Sequence, residues 1–168
     1  MEGFDVEVDI CFNSNIPFDK IFKYDKVVLS PGPGLPGEAG DLMKFIEKFH
    51  DKIPILGICL GFQALAEFYG GQLVNQAVVK HGIKEKCFFD TTSLLFLNTP
   101  THFKIGLYHS WAVSEIDFPK VLTVTAKSEN DIIMAFEHKN KLIFGVQFHP
   151  ESIMTEYGHD VLHNFLIT

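Results

Sequence analysis

Apolar positions in this chain change period along its length. Residues 26–30 (KVVLS) and 53–58 (IPILGI) are short apolar runs bounded by turn formers, the mark of strands. Between them Leu42, Phe45, Ile46 and Phe49 recur at three- and four-residue spacing, which predicts the buried stripe of a helix. Strand, helix, strand is the pattern of a βαβ unit. Residues 53–58 and 142–148 (LIFGVQF) are apolar at successive positions, which predicts burial on both faces, as in a parallel sheet covered by helices on each side. The expected fold is a doubly wound α/β sheet, mainly parallel, with flanking helices. Residues 73–79, 87–96 and 121–126 read as further strands, and 131–137 joins 142–148 across a turn at Lys139, Asn140 and Lys141. These predict a small antiparallel addition. Val161, Leu162, Phe165 and Leu166 place an amphipathic helix over 156–166.

The chain has 168 residues, 46% of them hydrophobic, without a repeat or linker, which suits one core and a single domain over 1–168. Neither a long apolar run nor a basic leader followed by an apolar stretch is present, so the expectation is a cytoplasmic protein with no membrane segment. All fourteen basic residues are lysines and the formal charge is -7, which argues against nucleic acid as a partner. Seventeen phenylalanines predict a phenylalanine-rich core. Cys11, Cys59 and Cys87 are odd in number and lack CxxC spacing, which speaks against a disulfide framework and a zinc site. The question they leave is whether one is a nucleophile.

Cys59 is the candidate. In GICLGFQ, residues 57–63, it lies where an apolar strand ends and a helical pattern begins, with glycines two positions before and two after. A sharp strand-to-helix turn there exposes the side chain and frees the next amide, that of Leu60, for an oxyanion. The helix N-terminus favours thiolate over thiol. Gln63, one turn further on the same face, is placed to meet a substrate attached to the sulfur. Cys11 and Cys87 lack flanking glycines and read as structural.

A thiol nucleophile requires a base, and the base requires a partner that fixes its tautomer. In GVQFHPES, residues 145–152, His149 and Glu151 follow an apolar strand, with Pro150 holding the backbone between them extended. Positions i and i+2 then face the same way. Strand ends on one edge of an α/β sheet converge, so ninety intervening residues are no obstacle to meeting Cys59. The loop SPGPG, residues 30–34, follows a strand on that same edge and reads as a backbone cradle for substrate. His159 and His163 stand at i, i+4 without an evident third ligand, so no metal and no cofactor are expected.

Five segments together resemble the class I (triad) glutamine amidotransferases, within them the small subunits of anthranilate synthase and aminodeoxychorismate synthase. They are SPGPGLP at 30–36, GICLGFQ at 57–63, HG at His81 and Gly82, YHSW at 108–111 and GVQFHPES at 145–152. The resemblance implies that Cys59 attacks the side-chain amide of L-glutamine, with His149 and Glu151 completing a triad. It implies an oxyanion held by the amides of Leu60 and Gly32, and a cradle for glutamine from Pro33, Gly34, Gln63, Ser110 and Trp111. It also implies ammonia transfer to a chorismate-binding synthase subunit. The chain departs from that family at Trp111, where an aliphatic residue is common. It also opens at Glu2, Gly3 and Phe4 with what looks like the relatives' second strand, so the first strand and helix are expected to be missing. The competing readings are a free-standing thiol hydrolase of γ-glutamyl bonds and a non-catalytic subunit that stabilises a partner.

Overall fold

A computed structural model describes residues 3–168, apart from the side chains of 77–80, so Glu2 lies outside the described residues. The strands are β1 (Val27–Leu29), β2 (Ile55–Ile58), β3 (Leu73–Phe89), β4 (His102–Val113), β5 (Leu122–Ser128), β6 (Ile133–His138) and β7 (Ile143–Val146). They form one sheet in the order β1-β2-β7-β6-β5-β3-β4. The helices are α1 (Leu42–Phe49), α2 (Leu60–Phe68) and α3 (Gly158–Ile167). β1 pairs with β2, and β2 with β7, in parallel. The other pairings are antiparallel, so that part of the sheet is larger than the small addition the sequence suggested.

Successive residues of the parallel strands feed opposite cores, as their unbroken apolar runs predict. Ile55 and Ile143 project into one cluster with Phe45, Ile46, Phe49 and Leu65, which come from α1 and α2. Leu56, Ile58, Phe144 and Val146 project into the other, with Phe89, Phe96 and Phe165. Every residue of β2 and β7 is buried, and each such aliphatic or aromatic side chain contributes roughly 1.5–3 kcal/mol of transfer free energy. Of the twelve largest fully buried side chains eight are phenylalanine, so the packing relies on ring contacts such as Phe62 against Phe136, with centroids 4.8 Å apart. The helical stripe Leu42, Phe45, Ile46 and Phe49 is buried throughout.

Three segments differ from the sequence reading. The strand expected over 87–96 ends at Phe89, because the Asp90 carboxylate accepts from the Thr92 amide at 2.9 Å and the Thr92 hydroxyl at 2.7 Å and turns the chain. Leu94–Phe96 is a single 3-10 turn. β4 was not anticipated: Phe103, Ile105 and Leu107 alternate inward, but the buried Gly106 and His109 blur the period. Finally, Val6, Val8, Ile10 and Phe12 alternate as a strand would, yet this stretch joins no ladder among the described residues and those side chains are exposed.

Candidate active site

Cys59 occupies the corner between β2 and α2 with φ 50° and ψ −98°. A non-glycine residue in this region costs about 1–3 kcal/mol and persists only when its surroundings hold it. They do. The Cys59 amide donates to the Val146 carbonyl at 2.9 Å, and its carbonyl accepts from the Gln63 amide at 3.0 Å. The flanking glycines serve a different purpose from the sharp turn expected of them. A Cβ on Gly57 would stand 2.5 Å from the Gly61 carbonyl carbon, and one on Gly61 would stand 2.4 Å from the Leu29 carbonyl oxygen. Their bare backbones let α2 close onto β1 and β2, while Cys59 itself carries the strained turn.

The loop after β1 lies over the start of α2: a Cβ on Gly32 would stand 2.8 Å from Leu60 Cδ2. Gly32, Pro33 and Gly34 are exposed, and Gly34 has a φ of +77°, which favours glycine there. The Leu60 amide opens α2 and so has no intrahelical acceptor. Two backbone segments flanking the Cys59 corner are therefore of the kind that can receive a developing negative charge.

His149 arrives from the extension of β7, the strand that pairs with β2 in the register Gly57 opposite Gly145. Its Nδ1 lies 2.7 Å from Glu151 Oε1. Its Nε2 is buried without a hydrogen bond among the described residues, and Cys59 is one of the side chains that favour charging of the ring. Tyr108 stacks edge-on against the imidazole with ring centroids 4.8 Å apart. The backbone is pinned as well. The His149 amide donates to the Gly106 carbonyl at 3.2 Å. The Thr155 hydroxyl donates to the His149 carbonyl at 2.6 Å and accepts from the Gly106 amide at 3.0 Å.

Burial opposes charging of His149, but the neighbouring Cys59 side chain and the hydrogen bond and attraction of Glu151 outweigh it, and its pKa is pushed up to about 9. The histidine is thus more easily charged in the folded protein than unfolded, so its pairing stabilises the fold fully below about pH 6.5 and progressively less as pH rises through about 9. Glu151→Gln is expected to lower stability most below pH 6.5, with the gap to the wild type narrowing above pH 9. Urea unfolding at several pH values measures this; a gap that widens toward high pH would reverse the sign.

Gln63 is 4% exposed, and its Nε2 donates both to the Trp111 carbonyl at 3.0 Å and to Gln147 Oε1 at 3.1 Å. Its amide protons are engaged with protein, leaving its carbonyl oxygen for any substrate donor. Ser110 and Trp111 are half-buried near the end of β4, where β3 slips register between Asn75 and Lys80. Cys59, Gln63, Trp111, His149 and Glu151 are thereby linked in one cluster. Cys87 is apart: its thiol donates to the Lys127 carbonyl at 3.1 Å, and burial pushes its pKa up, the setting of an unreactive cysteine. Cys11 is exposed. His159 and His163 stack on Phe4, at centroid distances of 4.3 and 6.2 Å.

Sequence reasoning assigned no role to Gln147, Thr155 or Tyr108. Gln147 was visible only as a polar residue inside an apolar strand run, and Thr155 carried no signal because its hydroxyl meets only backbone, at His149 and at Gly106 of β4, a strand that was itself missed.

The arrangement gathers a thiol, a histidine and a carboxylate beside an exposed glycine-rich loop, a set chemically suited to nucleophilic attack assisted by a base. The family model for glutamine amidotransferase class-I matches residues 2–168. Anthranilate synthase component 2 of Pyropia yezoensis is 41% identical, over 98% of this chain and 87% of that protein. The same component from Pseudomonas aeruginosa is 38% identical, over 95% and 83%. Among solved structures, a Thermoplasma acidophilum protein assigned as part of a GMP synthase superposes with a TM-score of 0.80 at 30% identity, over 92% of this chain and 76% of that one. A family match over almost the whole length, carried by relatives near 40% identity, makes this chain a member of the class I glutamine amidotransferases.

Proposed function

We propose that the chain is the glutamine-hydrolysing subunit of an anthranilate-forming synthase, with Cys59, His149 and Glu151 as its triad. The carrying observation is the 2.7 Å pairing of His149 Nδ1 with Glu151, which leaves the buried Nε2, unpartnered among the described residues, to exchange a proton. The names of the relatives support the synthase assignment. The substrate is L-glutamine and the partner a chorismate-binding subunit that accepts the ammonia.

Cys59 Sγ attacks the side-chain amide carbon of glutamine while its proton passes to His149 Nε2. The resulting oxyanion is met by the Leu60 and Gly32 amides. Gly34, Pro33, Gln63, Ser110 and Trp111 hold the rest of the glutamine. His149 then gives the proton to the amide nitrogen, the C–N bond breaks and ammonia leaves, with the acyl group held as a thioester. Water, deprotonated by His149, attacks the thioester; glutamate departs and the proton returns to sulfur. Glu151 keeps the imidazole in the tautomer that these transfers need.

Ammonia release from glutamine by the purified chain, alone and with a chorismate-binding subunit, tests this. Release that rises with the subunit, together with anthranilate formed from chorismate and glutamine, is the expected result. Equal release with and without any such subunit would favour a free-standing γ-glutamyl hydrolase, and no release with any subunit would leave only a stabilising role.

A further inference from the structure

We infer that Gln147 is a positioning residue for the nucleophile, a buried neutral donor that holds the Cys59 sulfur in line and favours its anionic form; this rests on Cys59 being the nucleophile. Gln147 is completely buried, and each end of its amide is engaged. Nε2 donates to Cys59 Sγ at 3.6 Å, and Oε1 accepts from Gln63 Nε2 at 3.1 Å.

The direction of this chain follows from its far end. The Trp111 carbonyl only accepts, so the Gln63 atom 3.0 Å from it is the amide nitrogen. That nitrogen also faces Gln147, whose oxygen must therefore point to Gln63 and whose N–H must point to sulfur. His109 Nδ1 donates to the same Trp111 carbonyl at 2.8 Å, which reinforces the polarity. A donor aimed at sulfur is rewarded most when sulfur carries charge, because hydrogen bonds to ions are about twice as strong as neutral ones.

Gln147 and His149 are two residues apart just past the end of β7, and the Gln147 amide reaches the Cys59 sulfur while Phe148 between them is fully buried in the core. Their chemistry divides. His149 takes up and returns a proton, whereas an amide N–H neither competes for that proton nor titrates. Without such a use, a fully buried amide in an apolar strand end would cost stability that leucine or methionine would not.

The test is alkylation of the full chain by iodoacetamide across a pH series, with each cysteine followed by peptide mass. Gln147→Met keeps the volume and removes the donor. Gln147→Asn keeps the amide but shortens its reach, and carries the same test should the methionine variant fail to fold, as judged by circular dichroism. Alkylation of Cys59 at pH 7 is expected to fall about tenfold in either variant, with the deficit closing at high pH. The exposed Cys11 serves as an internal reference whose rate stays constant. Variant profiles for Cys59 that superpose on the wild type would overturn the role of Gln147. A wild-type Cys59 profile with the same midpoint as Cys11 would instead remove the nucleophile reading beneath it.

Discussion

Cys59→Ser is expected to cut ammonia release from glutamine by at least about a thousandfold while the protein remains folded. An alcohol ionises far less readily than a thiol, so His149 would have to generate a much stronger base to make the same attack. The fold has little reason to suffer. Oxygen is smaller than sulfur, the side chain is 8% exposed, and both the Gln147 donor and the His149 ring find an acceptable partner in a hydroxyl. Melting within a few degrees of the wild type should accompany the loss. Cys11→Ser, at an exposed thiol remote from the triad in sequence, is the matching control and should keep full activity. A serine variant retaining a tenth of the rate would mean that Cys59 is not the nucleophile.

Gly61→Ala is expected to cost about 3 kcal/mol, the upper end for forced overpacking. The added methyl would meet the Leu29 carbonyl oxygen at 2.4 Å and Leu29 Cβ at 2.6 Å, and backbone cannot swing away as a side-chain tip can. The relief available is for α2 to lift from β1, which moves the Leu60 amide and the Cys59 corner together, so activity should fall with stability. A drop in melting temperature of roughly 6–12 °C corresponds to that cost in a chain of this size. Gly37→Ala is the contrast, since its methyl would meet nothing within 4 Å and should change stability by less than about 0.5 kcal/mol. Equal melting of the two variants would show that the close approach is softer than the distances imply.

Much of this was legible in residue order. The runs IPILGI and LIFGVQF predicted strands buried on both faces, and they are the paired β2 and β7 that bring Cys59 and His149 together. The spacing of His149 and Glu151 predicted a contact that the structure shows at 2.7 Å, although the backbone between them is a turn, closed by the Ser152 amide donating to the His149 carbonyl at 3.1 Å, and not the extended segment expected. Local sequence carried these signals because strand ends and i, i+2 geometry are local. β4 was hidden because both of its faces are buried around Gly106, which packs against Ser152, Met154 and Thr155, and because the polar His109 follows Phe103, Ile105 and Leu107 on the other face, so the apolar alternation is broken. Gln147 was hidden for a related reason: its value depends on Gln63 and Trp111, residues far away in the chain.

The parallel pairing of β2 with β7 also sets when the protein becomes competent during synthesis. Cys59 emerges from the ribosome with its own strand and helix, but the strand that carries the base comes some ninety residues later. At about 5–20 residues per second that is a delay of roughly 5–20 s, during which the nascent polypeptide holds the Cys59 thiol without the His149 imidazole. β7 must also insert between β2 and β6, strands that do not pair with each other. On the proposed triad, glutamine hydrolysis therefore waits until β7 and His149 have been made, and no shortened product ending before His149 can waste the amide.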